Sequence, residues 1–324
     1  MRPACVALAI LATLSGAGAA ASGPTLERVR AANVVRCGAT ARPGLLEETA
    51  RGPEGLLVDL CRAIGVAAAG PSVKVEMSAY ESELSFEAAR AGRADVVFLS
   101  GGEIVAERLA GALTPGPPAF YETIALMVPA ASTATRPADL AGESICFLQG
   151  DAAHRALEDW FAARRLVFVR MGFQEEEELY DAFDSGYCRA LAGEATTLAS
   201  VRLEGENKRR GARILAEPLA TFPILAATGA SDGAWSALVF WTLDALVAAD
   251  RPQRAWSAGG LAALPIDAAA LGLAPDRLRD ALATTGGYAE VYKRHVGEAS
   301  PLALPLGANA PIEEGGLMAP PYAE

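Results

Sequence analysis

The rhythm of the chain constrains its fold more than any single residue does. V-V-R-C-G at 34–38, V-K-V-E-M at 73–77 and D-V-V-F-L at 95–99 carry the apolar or alternating composition of strands. Between them, G-L-L-V-D-L-C-R-A-I-G-V-A-A-A at 55–69 and the stretch 84–91, closing at Gly92, place apolar residues at helical spacing. The third strand is apolar after Asp95, as strands buried on both faces of a parallel sheet are. The order β-α-β-α-β predicts an open α/β sheet.

The succession then restarts. A turn and strand at 140–147, a helix at 151–165, a strand at 166–170, a helix at 175–185 with an acidic start suited to the helix dipole, and a strand from Cys188 to Leu191 repeat it. Extended runs at 123–128 and 222–228 predict crossings between two lobes, and 234–249 reads as a further helix. The expected division is 22–128 for the first part of lobe 1, 129–222 for lobe 2, and 223–324 for the return to lobe 1 with a helical and extended tail. A short helix at 25–30 would take Thr25 as its cap.

The start of the chain reads as a signal peptide over residues 1–21: M-R-P, an apolar run at 4–14, then small residues before Ser22. The run is too short to span a bilayer comfortably. The expectation is a cleaved leader and an exported, periplasmic protein. Cys5 falls ahead of any plausible cleavage point and is not expected to become a lipid anchor.

The 324 residues are 52% hydrophobic, enough for one large or two medium domains, and the formal net charge of -11 argues against nucleic acid or an anionic membrane as the main partner. Cys37, Cys61, Cys146 and Cys188 remain after the leader. An even number in an exported chain suggests disulfides, and four cysteines allow three pairings. Zinc is the rival, but close C-x-x-C spacing is missing and only His154 and His295 could assist.

Ligands of open α/β sheets bind beyond the carboxyl ends of the strands. F-L-S-G-G-E-I-V-A-E-R at 98–108, Gln149 to Ala152, and Glu194 all lie there. The acidic run 175–178 reads as a solvated helix start, 207–210 as a basic loop, and both histidines as surface residues. Trp160, Trp235, Trp241 and Trp256 sit in helical patterns and are expected to pack in the core.

From residue 25 almost to the end, the sequence resembles the periplasmic solute-binding proteins of general L-amino acid ABC transporters, in solute-binding protein family 3. T-L-E-R-V-R-A-A-N-V-V-R-C-G, G-L-L-V-D-L-C-R-A-I, R-P-A-D-L-A-G-E-S-I-C-F, Y-D-A-F-D-S-G-Y-C-R and W-T-L-D-A-L carry the resemblance. The most specific part is G-G-Y-A-E-V-Y-K-R-H-V-G at 286–297, followed by G-A-N-A-P-I-E-E-G-G-L-M-A-P-P-Y.

The resemblance implies a two-lobed type II periplasmic binding protein that closes on an amino acid, with the sequential pairing Cys37–Cys61 and Cys146–Cys188. It implies a monomer without cofactor or metal that works with an inner-membrane ABC permease. Arg108 would hold the ligand carboxylate, a task suited to a bidentate guanidinium, and Glu194 would take the ligand amino group where the family commonly has Asp. Ser100 and Gly101 in lobe 1, and Gly150 and Asp151 in lobe 2, complete the expected site.

The departures concern the same positions. The Thr-rich, Trp-bearing loop of the family is here S-G-G-E-I-V, Gly150 is followed by Asp151 and Ala152 instead of Thr residues, and Leu45 replaces an aromatic. A carboxylate beside a ligand carboxylate repels it. Asp151 can instead cap the following helix, or select a cationic group. Two further functions fit these changes: an accessory or sensory module of the same fold, and a dehydratase-like enzyme using Glu194, Asp151 or Glu103 as general acid. The sequence offers no nucleophile–base pair, which favours binding over catalysis.

Overall fold

The computed structural model describes residues 23–81, 87–100, 112–204, 209, 211–250 and 268–319. The expected signal peptide, Gly101, Glu103, Arg108, Lys208, Arg210 and Trp256 lie outside the described residues.

The first round of the pattern builds α1 (Pro24–Ala32), β1 (Val34–Ala39), a small hairpin of β2 (Glu47–Thr49) and β3 (Gly52–Glu54), α2 (Leu56–Ala69), β4 (Lys74–Ala79) and β5 (Val96–Ser100). The long strand β6 (Leu113–Val128) leads to the second round: β7 (Ser144–Leu148), α3 (Ala152–Ala163), β8 (Val169–Phe173), α4 (Glu176–Ser185), β9 (Ala190–Glu194) and α5 (Ala195–Glu204). After β10 (Arg213–Ile214), the strand β11 (Ala220–Gly229) returns, followed by α6 (Gly233–Ala249), α7 (Arg277–Thr285) and α8 (Tyr288–His295).

The sheet runs β4-β1-β5-β11-β6-β9-β7-β8, with β10 on β6. β4, β1 and β5 are mutually parallel, as are β9, β7 and β8. β11 and β6 join these two groups and run antiparallel to their neighbours. β5 pairs with β11 only from Ile224 to Ala227, and β9 pairs with β6 only from Ile124 to Met127. Tyr121, Glu122 and Thr123 therefore face only Pro223, Phe222 and Thr221, forming a two-stranded neck between the lobes.

Each lobe buries both faces of its sheet, as the apolar β5 requires. Val96 and Phe98 join Ile64, Phe120 and Trp235 on one side, while Val97 and Leu99 join Ala88 and Leu113 on the other. The alternation continues past the neck. Ile124 and Leu126 pack with Leu157 and Phe161, and Ala125 and Met127 pack with Phe183 and Leu198. Gly65 lets α2 lie close on β1, since a Cβ there would stand 2.6 Å from Val35 Cγ1. The bridges Cys37–Cys61 and Cys146–Cys188 each stay within one lobe, with Cα atoms 6.3 and 5.7 Å apart.

Several details differ from the sequence expectations. Thr25 does not cap α1 with its side chain: its N–H donates to Asp232 Oδ2 at 2.8 Å, and Asp232 Oδ1 accepts from Trp235 N at 3.0 Å, so one carboxylate serves the starts of two helices. β8 begins three residues later than expected, because Arg165 (φ 56°) and the Leu166 N–H bonded to Phe161 O close α3 first. β6 begins ten residues before the expected run despite Pro115, Pro117 and Pro118, and its register against β11 shifts twice there, where prolines are tolerated. The histidines are half-buried: His154 stacks on Phe147 with centroids 4.5 Å apart, and His295 Nε2 lies 2.8 Å from Asp59 Oδ2. Among the described residues, no helix is long and apolar enough to cross a membrane.

Candidate functional site

The carboxyl ends of β7 and β9 open onto a cavity of about 240 Å³ lined by Asp151, Glu176, Tyr180, Glu194 and Thr197. Two helices begin at this edge. Gly150 turns the chain out of β7 in the left-handed region (φ 83°), with space around it; its N–H donates to His154 Nδ1 at 3.1 Å and its C=O accepts from Arg155 Nη1 at 2.7 Å. Asp151 then caps α3, accepting from His154 N at 2.7 Å. Its capping role is the one expected from the sequence. Burial raises the Asp151 carboxyl above its ordinary value, and the charge of Glu194 adds to that, outweighing the His154 N–H and the neighbouring basic groups.

Glu194 is the last residue of β9, opposite Ile124 of β6. Across the cleft stands Arg42, in the turn that follows β1, with Nε 3.1 Å from Glu194 Oε2. Both side chains are largely enclosed, at 18% and 22% exposure. Ser100 ends β5 and pairs with Ile224, on the lobe 1 side of the neck. The structure thus brings Asp151 and Glu194 to one cavity and sets Gly150 at the start of the capping turn.

Two groups at this place escaped the sequence reading. Arg42 is one. The other is Glu122, 1% exposed in the neck. Thr196 Oγ1 donates to its Oε2 at 2.6 Å and Thr123 N to its Oε1 at 3.0 Å. Burial, with the charge of Glu194, pushes the Glu122 carboxyl up to about 7, against the pull of these donors and of Arg42. The one charged residue of the crossing strand is the signal that marks it, and for Arg42 the signal is position just beyond the carboxyl end of β1. The carboxylates of Asp151, Glu194 and Glu122, the Arg42 guanidinium and two helix starts at one edge can bind a small polar molecule through charged hydrogen bonds.

No protein-family model matches the chain. It is 28% identical to the general L-amino acid-binding periplasmic protein AapJ of Rhizobium johnstonii over 329 residues, covering 96% of each chain. It is also 28% identical to the glutamate/glutamine/aspartate/asparagine-binding protein BztA of Rhodobacter capsulatus, over 97% of each. The chain is a homologue of the periplasmic binding proteins of amino acid ABC transporters. A solved structure agrees with this homology: an ABC transporter periplasmic binding protein from Brucella ovis with glutathione bound, 26% identical, TM-score 0.69, covering 90% of this chain and 97% of that one. The binding-protein homologue described here therefore shares the two-domain α/β architecture of that structure along nearly its whole length.

Proposed function

We propose that the protein is an extracytoplasmic solute-binding protein that captures an amino acid or related small solute between its lobes and delivers it to an inner-membrane ABC permease. The observation that carries this is the charged cavity beyond β7 and β9, faced by Arg42 across a two-stranded neck, in a chain with full-length similarity to such proteins. The neck suits a hinge, since among the described residues β6 and β11 are the paired strands that cross it, with the tail at 302–309 lying alongside. Periplasmic location after removal of residues 1–21 belongs with this reading, as does the division into 22–128, 129–222 and 223–324. So does the assignment of Glu194, Asp151, Gly150, Ser100, Gly101 and Arg108 as ligand-binding residues. The task is capture and release and needs no catalysis.

The test is thermal unfolding of the exported, oxidised protein against amino acids, glutathione, amines and small carboxylic acids. A ligand that binds only the folded state raises the midpoint by mass action. A rise with a few related compounds, lost in Glu194→Gln and in Arg108→Ala, supports the assignment. No rise with any compound, from folded and ligand-free protein, would turn the reading to a non-transport accessory module.

A further inference from the structure

We infer that Arg42 is a specificity-determining residue of the cleft: its guanidinium fills the subsite in which a ligand's cationic group would meet Glu194, so a ligand binds by displacing it. This rests on the solute-binding reading above.

The first support is charge. The cavity presents Asp151, Glu176 and Glu194, and among the described residues no basic side chain lines it. Glu176 is exposed at its rim, whereas Asp151 and Glu194 are partly buried, and two such carboxylates in one cavity call for a cation. Arg42 brings one to the rim from the opposite lobe, with its Nε on Glu194 Oε2.

The second support is rigidity. The turn carrying Arg42 is fastened rather than loose. Arg42 N donates to Leu46 O at 3.1 Å, and Arg42 O accepts from Leu45 N and Leu46 N, each at 3.0 Å. Glu47 Oε2 accepts from Gly44 N, and the first turn of α2 donates to Gly44 O and Leu45 O. Gly55 leaves no room for a Cβ, which would stand 2.3 Å from Leu45 O. A guanidinium held on such a base returns to the same place each time the lobes close.

The third support is enclosure. At 18% and 22% exposure the pair is screened far less than a surface ion pair, so its exchange for a ligand matters to affinity. It also ties the lobes together without ligand. Arg42 thus opposes binding at the cation subsite while favouring the closed form. The ligand class best able to displace a guanidinium from clustered carboxylates is itself cationic, a basic amino acid before an acidic one.

The experiment uses the exported, oxidised protein as wild type, Arg42→Ala, Arg42→Lys and Glu194→Gln. Calorimetric titration takes L-arginine, L-lysine and L-glutamate as probes, and small-angle X-ray scattering measures the ligand-free radius of gyration. Arg42→Ala is expected to bind L-arginine or L-lysine about tenfold tighter than wild type, with Arg42→Lys between them and Glu194→Gln showing no gain. The ligand-free radius should grow in Arg42→Ala and Glu194→Gln. Equal or weaker binding of the basic probes in a folded Arg42→Ala would overturn the assignment. If no form binds any of the three probes, the cation-subsite assignment is overturned, while the solute-binding reading stands or falls separately on the wider panel above; the radius then reports only whether the Arg42–Glu194 contact holds the lobes closed.

Discussion

Asn309 holds the neck from outside the sheet. The residue is 3% exposed, and its side chain makes three hydrogen bonds. Oδ1 accepts from Tyr121 N at 2.7 Å and from Tyr288 Oη at 2.9 Å, while Nδ2 donates to Tyr121 O at 2.8 Å. Tyr121 needs this because β9 starts to pair only at Ile124, leaving that edge of β6 without a strand. The amide of Asn309 thus takes the place of one residue of a missing strand. Asn309→Ala would orphan a main-chain N–H, a C=O and a phenol, each costing about 1–3 kcal/mol when buried. The adjoining cavity of about 450 Å³, lined by Tyr121 and Asn309, can admit water to part of them. The expected loss is therefore about 2–4 kcal/mol, below the simple sum. Urea unfolding with the disulfides intact measures it, and hydrogen exchange at the Tyr121 amide locates it. Asn309→Asp keeps both acceptor contacts but buries a charge and turns an oxygen on the Tyr121 C=O, so its loss should be large at neutral pH and shrink as pH falls and the carboxyl takes a proton. An unchanged midpoint at unchanged slope, with unaltered exchange at Tyr121, would refute the clamp.

Glu122 gives a pH prediction. Its folded value of about 7 lies above the ordinary 4.5, so the folded state holds the proton more tightly than the unfolded chain does. The stabilisation is full below pH 4.5 and is lost as pH rises through 7. Relative to Glu122→Gln, wild type should lose stability across that window in pH-dependent unfolding; a constant difference would count against the burial argument. Asp95 is buried under two arginines, Arg28 and Arg36, and also accepts from Arg36 N at 2.8 Å. Asp95→Ala removes a buried carboxylate from two arginines that are about a third exposed and can turn to water, and should cost about 1–3 kcal/mol in urea unfolding. Replacing both Cys146 and Cys188 by Ser removes a bridge that closes a separation of 42 residues. Loop-closure entropy sets that loss at about 4 kcal/mol, measured as the midpoint shift against oxidised wild type.

Much of the fold could be read because periodicity is local. The apolar run at 96–99, the helical spacing at 55–69 and the acidic start at 175–178 each announce an element within a few residues. Asp151 was legible for the same reason, since a cap acts three residues away. What distance decides was hidden. Thr25 has the chemistry of a cap, yet Asp232, far along the chain, takes the exposed N–H. Arg42 finds Glu194 across 152 positions, and nothing in T-A-R-P-G marks the guanidinium for that partner. Asn309 sits in a motif whose family resemblance is strong, but its grip on Tyr121 spans 188 positions. The histidines look polar in their local surroundings, and only packing brings Phe147 against one and Asp59 against the other.

The order of strands across the sheet also sets an order in time. β5 is finished at Ser100, but its neighbour β11 begins at Ala220. As the chain is synthesised, the whole second lobe emerges before that partner arrives. Until then V-V-F-L-S offers an unpaired, apolar sheet edge, the kind of template on which strands from other chains add. The second lobe meets no such delay, because β7, β8 and β9 follow one another closely and β6 is already present. The hazard of misassembly therefore concentrates at one strand of the first lobe, and it ends when residues 224–227 dock.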